Sequence, residues 1–414
     1  MTADKLDRSD LSAMTFVREA TVAMCNTGVP TSYVTDRMQA VSAAFGVDVT
    51  ILALPTGVFI QHPDGTMNIA LAQGTVAGSN SFRLDQLADL QHLLDDVTGG
   101  RCDAADALDR LHAISTTQPR YRLAAVLVGH ALFGVGFGLL LEPTLLAIPV
   151  YAVMSAVIGV LGILVSSRRM AAAVFPAIAA FLVGVVMNLV APHVGESATP
   201  AIVPPLVSLL PVAAMTFAVL DLSTGDAIAG TSRIAVAIQR LLLMAFGAYA
   251  ASTLVPATAP ISHHMSLVWG PWLGVAVFSV GCLLTQSASL RTLPYLMLIA
   301  YVTFATQYVT TQWAGPIIGG FSAGAASVLA SMSLRRLPKA PPFYAGFAPV
   351  LWLIVPGAVG LQGAVNFGQN GGAAAAGQIG LTGMILVAIA AGILVVTACR
   401  SLVPQHSPLS SENP

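Results

Sequence analysis

At 414 residues the chain is 56% hydrophobic and only 9% charged, with a formal net charge of −1 and a mean hydropathy of +0.79. A soluble fold carries roughly 25% charged residues to solvate its surface, so a wholly soluble protein is excluded and the lipid bilayer is the remaining solvent. Charge is also unevenly spread: residues 1 to 122 hold nine Lys/Arg and fourteen Asp/Glu, whereas residues 123 to 414 hold nine and five. That asymmetry predicts a soluble N-terminal domain followed by a membrane domain.

In chain order, MTADKLDRSDLSAMT has no apolar core, so no secretory signal is expected and the first domain stays in the cytoplasm. Residues 10 to 27 predict a helix opened by Asp10 and closed by Gly28, and 31 to 45 repeat that form up to Gly46. VDVTILALP, GVFIQ and TMNIALA predict strands, the last two joined by the hairpin signal Asp64-Gly65. Amphipathic helices are expected at 84 to 98 and 102 to 115, separated by Gly99-Gly100. The result is a small α+β domain with no phosphate loop and no nucleophile elbow. Cys25, Cys102, Cys282 and Cys399 form no metal or redox spacing, so they read as reduced or buried bystanders, and no metal or cofactor is expected.

Beyond residue 122, apolar stretches of about 20 residues are each long enough to cross a hydrocarbon core of roughly 30 Å. Ten are expected, at 123 to 141, 144 to 165, 170 to 190, 201 to 220, 234 to 254, 267 to 284, 293 to 310, 315 to 334, 343 to 362 and 378 to 399. Basic residues fall in alternate connections: Arg120 and Arg122, Arg168 and Arg169, Arg233, Arg291, then Arg335, Arg336 and Lys339, and finally Arg400. Lys and Arg mark cytoplasmic loops, so both termini are expected in the cytoplasm. Arg240 lies about two turns inside the fifth span, where it either snorkels to the interface or faces a pathway.

FGVDVTILALPTGVFIQ and LDQLADLQHLLDDVTGGRCDAADALDRLHAI in the first domain resemble the N-terminal part of the threonine/serine exporter family. In the membrane part, LLPVAAMTFAVLDLSTGDAIAGTSR is similar to that family's signature of a Pro-Gly pair, an Asp ten residues later, a Gly-Asp pair and a Gly before an Arg. GPIIGGFSAGAASVLASMSLRRLPKAPPFYAGFAPVLWLIVPGAVG resembles its second half. The chain departs at Pro211-Val212, where the family has Pro-Gly, and keeps Pro356-Gly357. The resemblance implies export of threonine and serine from a bacterial inner membrane, driven by the proton motive force. Relatives are also associated with small dicarboxylates. Substrate, protons and membrane lipid are thus the expected partners, with no nucleic acid, and a homo-oligomer is left open.

Ten spans divide into two sets of five, and an odd number turns the second set upside down, the topology of inverted repeats with a substrate site near the midplane. The expected architecture is therefore an α-helical polytopic membrane protein with two five-helix inverted repeats behind a small α+β cytoplasmic domain. Its boundaries read as 1 to 118, 119 to 258 and 259 to 400, with a polar tail at 401 to 414. Pro211 is followed ten residues later by Asp221, and Pro356 ten residues later by Asn366, at opposite faces as such a repeat requires. A proline inside a span frees a backbone carbonyl that only protein or a wet cavity can satisfy. Pro204, Pro205, Pro211 and Pro356 are accordingly candidate breaks.

Among the carboxylates, Asp221 continues an apolar span, where an ionised Asp costs roughly 2.5 to 3.5 kcal/mol at the helix centre; a pathway position and proton carriage are expected. Asp226 reads either as a second carrier or as the cap of the next helix. Glu142 and Glu196 fall on external connections and read as solvated. His130 is a candidate relay or a core histidine bonded to a neighbour. Asn188, Gln307 and Asn366 either bind substrate or bond helix to helix. His263 and His264 read as hydrated loop residues. A membrane-embedded hydrolase is the competing class, but no HExxH, GxSxG or paired intramembrane Asp motif supports it. A non-transporting sensor would not need ten spans.

Overall fold

Alternation and capping in the polar first quarter produce the expected elements. A computed structural model describes residues 8–62, 66–71, 82–256, 269–337, 340–354, 357–370 and 373–401. The expectations for Asp64-Gly65, His263, His264, Lys339, Pro356 and the 401 to 414 tail fall wholly or almost wholly outside these residues. Helices α1 (Arg8–Asn26) and α2 (Thr31–Ala44) are followed by β1 (Thr50–Leu54), β2 (Gly57–Gln61) and β3 (Met67–Leu71), then by α3 (Leu84–Thr98) and α4 (Ala104–Thr116). The strands form one antiparallel sheet in the order β1-β2-β3, with Leu52 opposite Phe59 and Phe59 opposite Ile69. Ile51, Ala53, Val58 and Ile60 turn inward and share a core with Phe16, Val17 and Ala20 of α1 and Leu90, Leu93 and Leu94 of α3. Asp103 caps α4 by accepting from Asp106 N at 2.8 Å. Gly28, at φ +78°, sits in the left-handed region that lets the chain leave α1 and turn at once into α2.

The membrane part contains α5 (Leu123–Leu140), α6 (Ala147–Val165), α7 (Arg169–Val190), the short α8 (Ala198–Ala201) and α9 (Val203–Leu206), α10 (Val212–Ser223), α11 (Ala227–Leu254), α12 (Gly270–Thr285), α13 (Leu293–Leu334), α14 (Phe343–Phe347), α15 (Leu351–Ile354), α16 (Gly357–Asn370) and α17 (Ala373–Ser401). Among the described residues, seven helices are long and apolar enough to cross a membrane, or up to eight if the bent pair around Pro211 counts as one span. The ten spans read from hydropathy are therefore not all seen as separate regular helices: five of those stretches depart from one. Residues 198–209 and 212–223 meet at a bend of 69°. Helix α12 has only 16 residues. Phe343–Asn366 is one of the seven, yet within it α14 and α15 are separated by a 3-10 turn at Ala348–Val350.

Helix α13 joins two of the expected spans. Its 42 residues would run about 63 Å if straight, roughly twice a hydrocarbon core. It is not straight: Gly315 has φ 83° and ψ 171°, and Pro316 opens a second arm. Thr310 Oγ1 and Ser322 Oγ lie 2.6 Å apart, a contact that twelve residues of continuous helix would hold about 18 Å apart. The chain thus doubles back at Gly315.

Glycines set the helix pairs. Helix α5 packs along α12, α7 along α11, and α13 along α17. A Cβ on Gly281 would stand 2.4 Å from Phe133 N, and one on Gly136 would stand 2.3 Å from Phe278 N. One on Gly247 would stand 2.1 Å from Ala177 O, and one on Gly392 would stand 2.0 Å from Phe321 O. These neighbours are backbone atoms, which cannot rotate away. Gly281→Val is expected to push α5 and α12 apart at a cost of about 1–3 kcal/mol or more, lowering the detergent-solubilised melting temperature. A melting curve superimposable on wild type would refute the close approach.

Candidate functional site

A cavity of about 530 Å³ lies where the N-terminal domain meets the membrane helices. Its walls come from both parts of the membrane domain and from the N-terminal domain. The broken segment from Ser208 to Ala214 forms one side, Ala348, Pro349 and Trp352 another, and His130 of α5, Gly159 of α6 and Arg240 of α11 reach it from three further helices. Asn26, Thr27 and Gly28 of the N-terminal domain also line it.

Backbone chemistry at the break follows from Pro211. That residue has φ −81° and ψ 45°, outside the helical region, so the chain restarts as α10 at Val212. Among the described residues no side chain caps this N-terminus, and no backbone carbonyl accepts from the N–H groups of Val212, Ala213 and Ala214. Uncapped N–H groups at a helix start attract anions, and the helix dipole adds to that pull. Arg240 borders the same cavity and makes no ion pair or hydrogen bond among the described residues. His130 likewise has no hydrogen-bond partner there; its ring lies over Gly159, where a Cβ would come within 2.5 Å of Cγ. An unpaired guanidinium, uncapped helix N–H groups and an imidazole thus border one cavity. Among the described residues no group of three or more His, Cys, Asp or Glu could hold a metal ion.

Asp221 takes a different position from these groups. It is fully buried at the end of α10, does not line the cavity, and forms an ion pair with Arg233 at 2.9 Å between Oδ2 and Nε. The Nε–H is not aimed along that line, so the contact is Coulombic rather than a linear hydrogen bond. Asp221 Oδ1 accepts from Thr31 N at 2.9 Å and Thr31 Oγ1 at 3.1 Å, which caps α2 from another domain. Arg233 donates from Nη1 to Gly28 O at 2.7 Å and from Nη2 to Val29 O at 2.8 Å. Asp226 stands at the N-cap position of α11 yet makes no side-chain cap; its Oδ2 accepts from Thr31 Oγ1 at 3.2 Å. These three membrane-domain side chains therefore hold the turn between α1 and α2. Nearby in α1, burial pushes the Cys25 thiol up to about 12 against the opposing pull of Arg233, so it is no nucleophile at neutral pH.

The other polar candidates are spent on helix contacts. Asn188 Nδ2 donates to Val255 O at 2.9 Å, tying α7 to the end of α11. Gln307 Nε2 donates to Ile354 O at 3.1 Å, joining α13 to α15. Asn366 Nδ2 donates to Gln378 Oε1 at 3.2 Å, between α16 and α17. Gly357 begins α16. Glu196 departs from its expected solvation: it is buried, and its Oε1 accepts from Thr144 N at 2.5 Å just before α6. Trp352 and Ser208 on the cavity wall were not read from the sequence, because an aromatic and a serine in an apolar run carry no signal of their own.

The N-terminal domain also contacts the membrane domain at the ends of α12 and α14. Leu84 N donates to Gln286 O at 3.2 Å, and Tyr121 Oη donates to Ala288 O at 2.9 Å. Tyr33 packs on Tyr344 with ring centroids 4.5 Å apart, and Leu283, Ala288 and Ala345 join the N-terminal core.

Comparison with known proteins gives one family. A family model described as "Putative threonine/serine exporter" (ThrE) matches residues 15–255. No curated protein and no solved structure matches the chain. The match covers more than half of the 414 residues and contains the α1–α2 turn, Asp221, Arg233, His130 and Arg240, so the chain belongs to the threonine/serine exporter family.

Proposed function

We propose that the chain is a secondary active exporter of small hydrophilic amino acids, threonine and serine, across the bacterial inner membrane. Export is coupled to the proton motive force, and both termini are cytoplasmic. The single observation that carries this reading is the unpaired Arg240 beside the uncapped α10 N-terminus in a cavity bounded by broken helices. A substrate carboxylate binds to Arg240 and to the N–H groups of Val212 to Ala214, the arrangement that broken transporter helices offer anionic groups. Its ammonium group is held by the carbonyls that the break before Pro211 leaves outside a helix. His130 is the titratable side chain on the cavity wall, and Asp221 and Asp226 remain candidates for proton coupling through the domain contact.

Ten spans in two inverted repeats fit this reading. The doubling back at Gly315 supports counting α13 as two spans, and the bend at Pro211 supports a broken fourth span. Packing offers matched pairs: α7 against α11 answers the second arm of α13 against α17, and α10 against α17 answers α16 against α11. The close glycines Gly247 and Gly392 fall in the corresponding helices α11 and α17.

One observation favours a second reading. Among the described residues no Asp or Glu lines the cavity, while Arg233, Arg240 and His130 do, which suits a small dicarboxylate as well as a zwitterion. Counterflow in proteoliposomes with threonine, serine, other amino acids and small dicarboxylates separates the two. Threonine and serine are expected to exchange fastest, and their gradient-driven export to collapse when the proton gradient is dissipated. Exchange confined to dicarboxylates would replace the first reading with the second. No exchange of any substrate, together with turnover of one by the solubilised protein, would make the chain an enzyme.

A further inference from the structure

The two faces by which the N-terminal domain touches the membrane domain differ in chemistry. Against α10 and α11 the contact is polar: Asp221, Arg233 and Asp226 hold Gly28, Val29 and Thr31 through charge and hydrogen bonds. Against the ends of α12 and α14 it is mainly apolar, with Tyr33 on Tyr344 and with Leu283, Ala288 and Ala345 sharing the N-terminal core; it carries no charge and only two hydrogen bonds, Leu84 N to Gln286 O and Tyr121 Oη to Ala288 O. Water can replace the partners of a polar contact at modest cost, because every donor and acceptor finds a substitute. Exposing an apolar contact forfeits its burial. If the domain moves, it parts from α10 and α11 and stays on α12 and α14.

Such a motion would act on the cavity directly, because Asn26, Thr27 and Gly28 of the same turn form part of its wall. The ion pair also has a form that a purely structural pair within the membrane helices would not need. Arg233 is only 8% exposed and Asp221 not at all, and a buried pair is tolerable only when further hydrogen bonds satisfy both groups. Here those hydrogen bonds come from the main chain and Thr31 hydroxyl of the N-terminal domain. Once the domain leaves, the α10–α11 end becomes wet and both charges hydrate; once it returns, both are buried again, with Asp221 Oδ1 and Arg233 Nη1 and Nη2 hydrogen-bonded to it.

We propose that the N-terminal domain is a gate over the cavity, latched to α10 and α11 by Asp221 and Arg233, and that each transport cycle requires the latch to open. This rests on the exporter reading, since a gate has a cycle only if substrate passes.

The test uses the full chain in proteoliposomes. Thr31→Cys with Asp226→Cys is joined by a short reducible bifunctional thiol reagent, and Tyr33→Cys with Tyr344→Cys is joined in parallel on the apolar side. Joining the first pair is expected to cut threonine exchange at least tenfold, with recovery on reduction, whereas joining the second leaves exchange within twofold. Exchange by the joined first pair equal to that of its reduced form overturns the gate. Should either pair of substitutions prevent folding, hydrogen exchange in wild type decides. The Thr31 amide, held by Asp221, is expected to exchange at least tenfold faster during transport than at rest, while amides at 90–94 stay protected. Unchanged protection at Thr31 during measurable transport overturns the proposal. Absence of any transport by the wild type counts against the exporter reading and takes the gate with it.

Discussion

Asp221→Ala is expected to destabilise the full chain by about 3–5 kcal/mol, the usual result of removing one partner of a buried ion pair. The substitution strands the Arg233 guanidinium, only 8% exposed, with its Nε facing nothing. It also removes the acceptor from Thr31 N and leaves the α2 N-terminus uncapped. The loss is read in two ways: a lower melting temperature of the detergent-solubilised protein, and faster cleavage by protease in the turn around Gly28. Asp221→Ala combined with Arg233→Leu is expected to recover much of the stability, because the stranded charge is gone. Wild-type melting and cleavage in Asp221→Ala would mean that the contact contributes little.

Arg240→Gln is expected to raise KM for threonine exchange about 30-fold or more. Truncating one side of a buried charge pair costs about 2–5 kcal/mol, and each 1.4 kcal/mol is a factor of ten in affinity. Arg240 is expected to form such a pair only with substrate, since it makes no ion pair among the described residues; folding should therefore be unaffected, and the melting temperature should stay at the wild-type value. Arg240→Lys keeps the charge but loses the planar fork that matches a carboxylate, so an intermediate KM is expected. Unchanged KM in Arg240→Gln would remove this residue from the substrate site and leave the α10 N-terminus to account for carboxylate binding alone.

How much of this was readable in the sequence depends on how local each cause is. The N-terminal elements followed from glycine stops and strand alternation, signals within a few residues of the element they shape, and their boundaries agree within a few residues; Asp10, read as the opening cap, instead lies inside α1, which already includes Arg8. His130, Arg240 and Pro211 stood out because a polar or helix-breaking residue inside an apolar stretch has a cost that must be met somewhere, and all three border the cavity. The same cost argument singled out Asp221 but could not say who meets it. Its partner Thr31 is 190 positions away in another domain, and nothing in either segment names the other. Hydropathy counted stretches without their geometry, so the fold-back at Gly315 and the bend at Pro211 entered as ordinary spans. Asn188, Gln307 and Asn366 took the helix-bonding alternative, which composition cannot tell from substrate contact.

The most direct test of the transport claim is counterflow of threonine by the purified wild-type chain. Proteoliposomes loaded with unlabelled threonine are diluted into a trace of labelled threonine, and internal label is followed over time. A transient accumulation of label above equilibrium, absent from protein-free liposomes, is the predicted result. Label that enters no faster than in protein-free liposomes, from protein shown to be folded by its melting transition, would contradict the account.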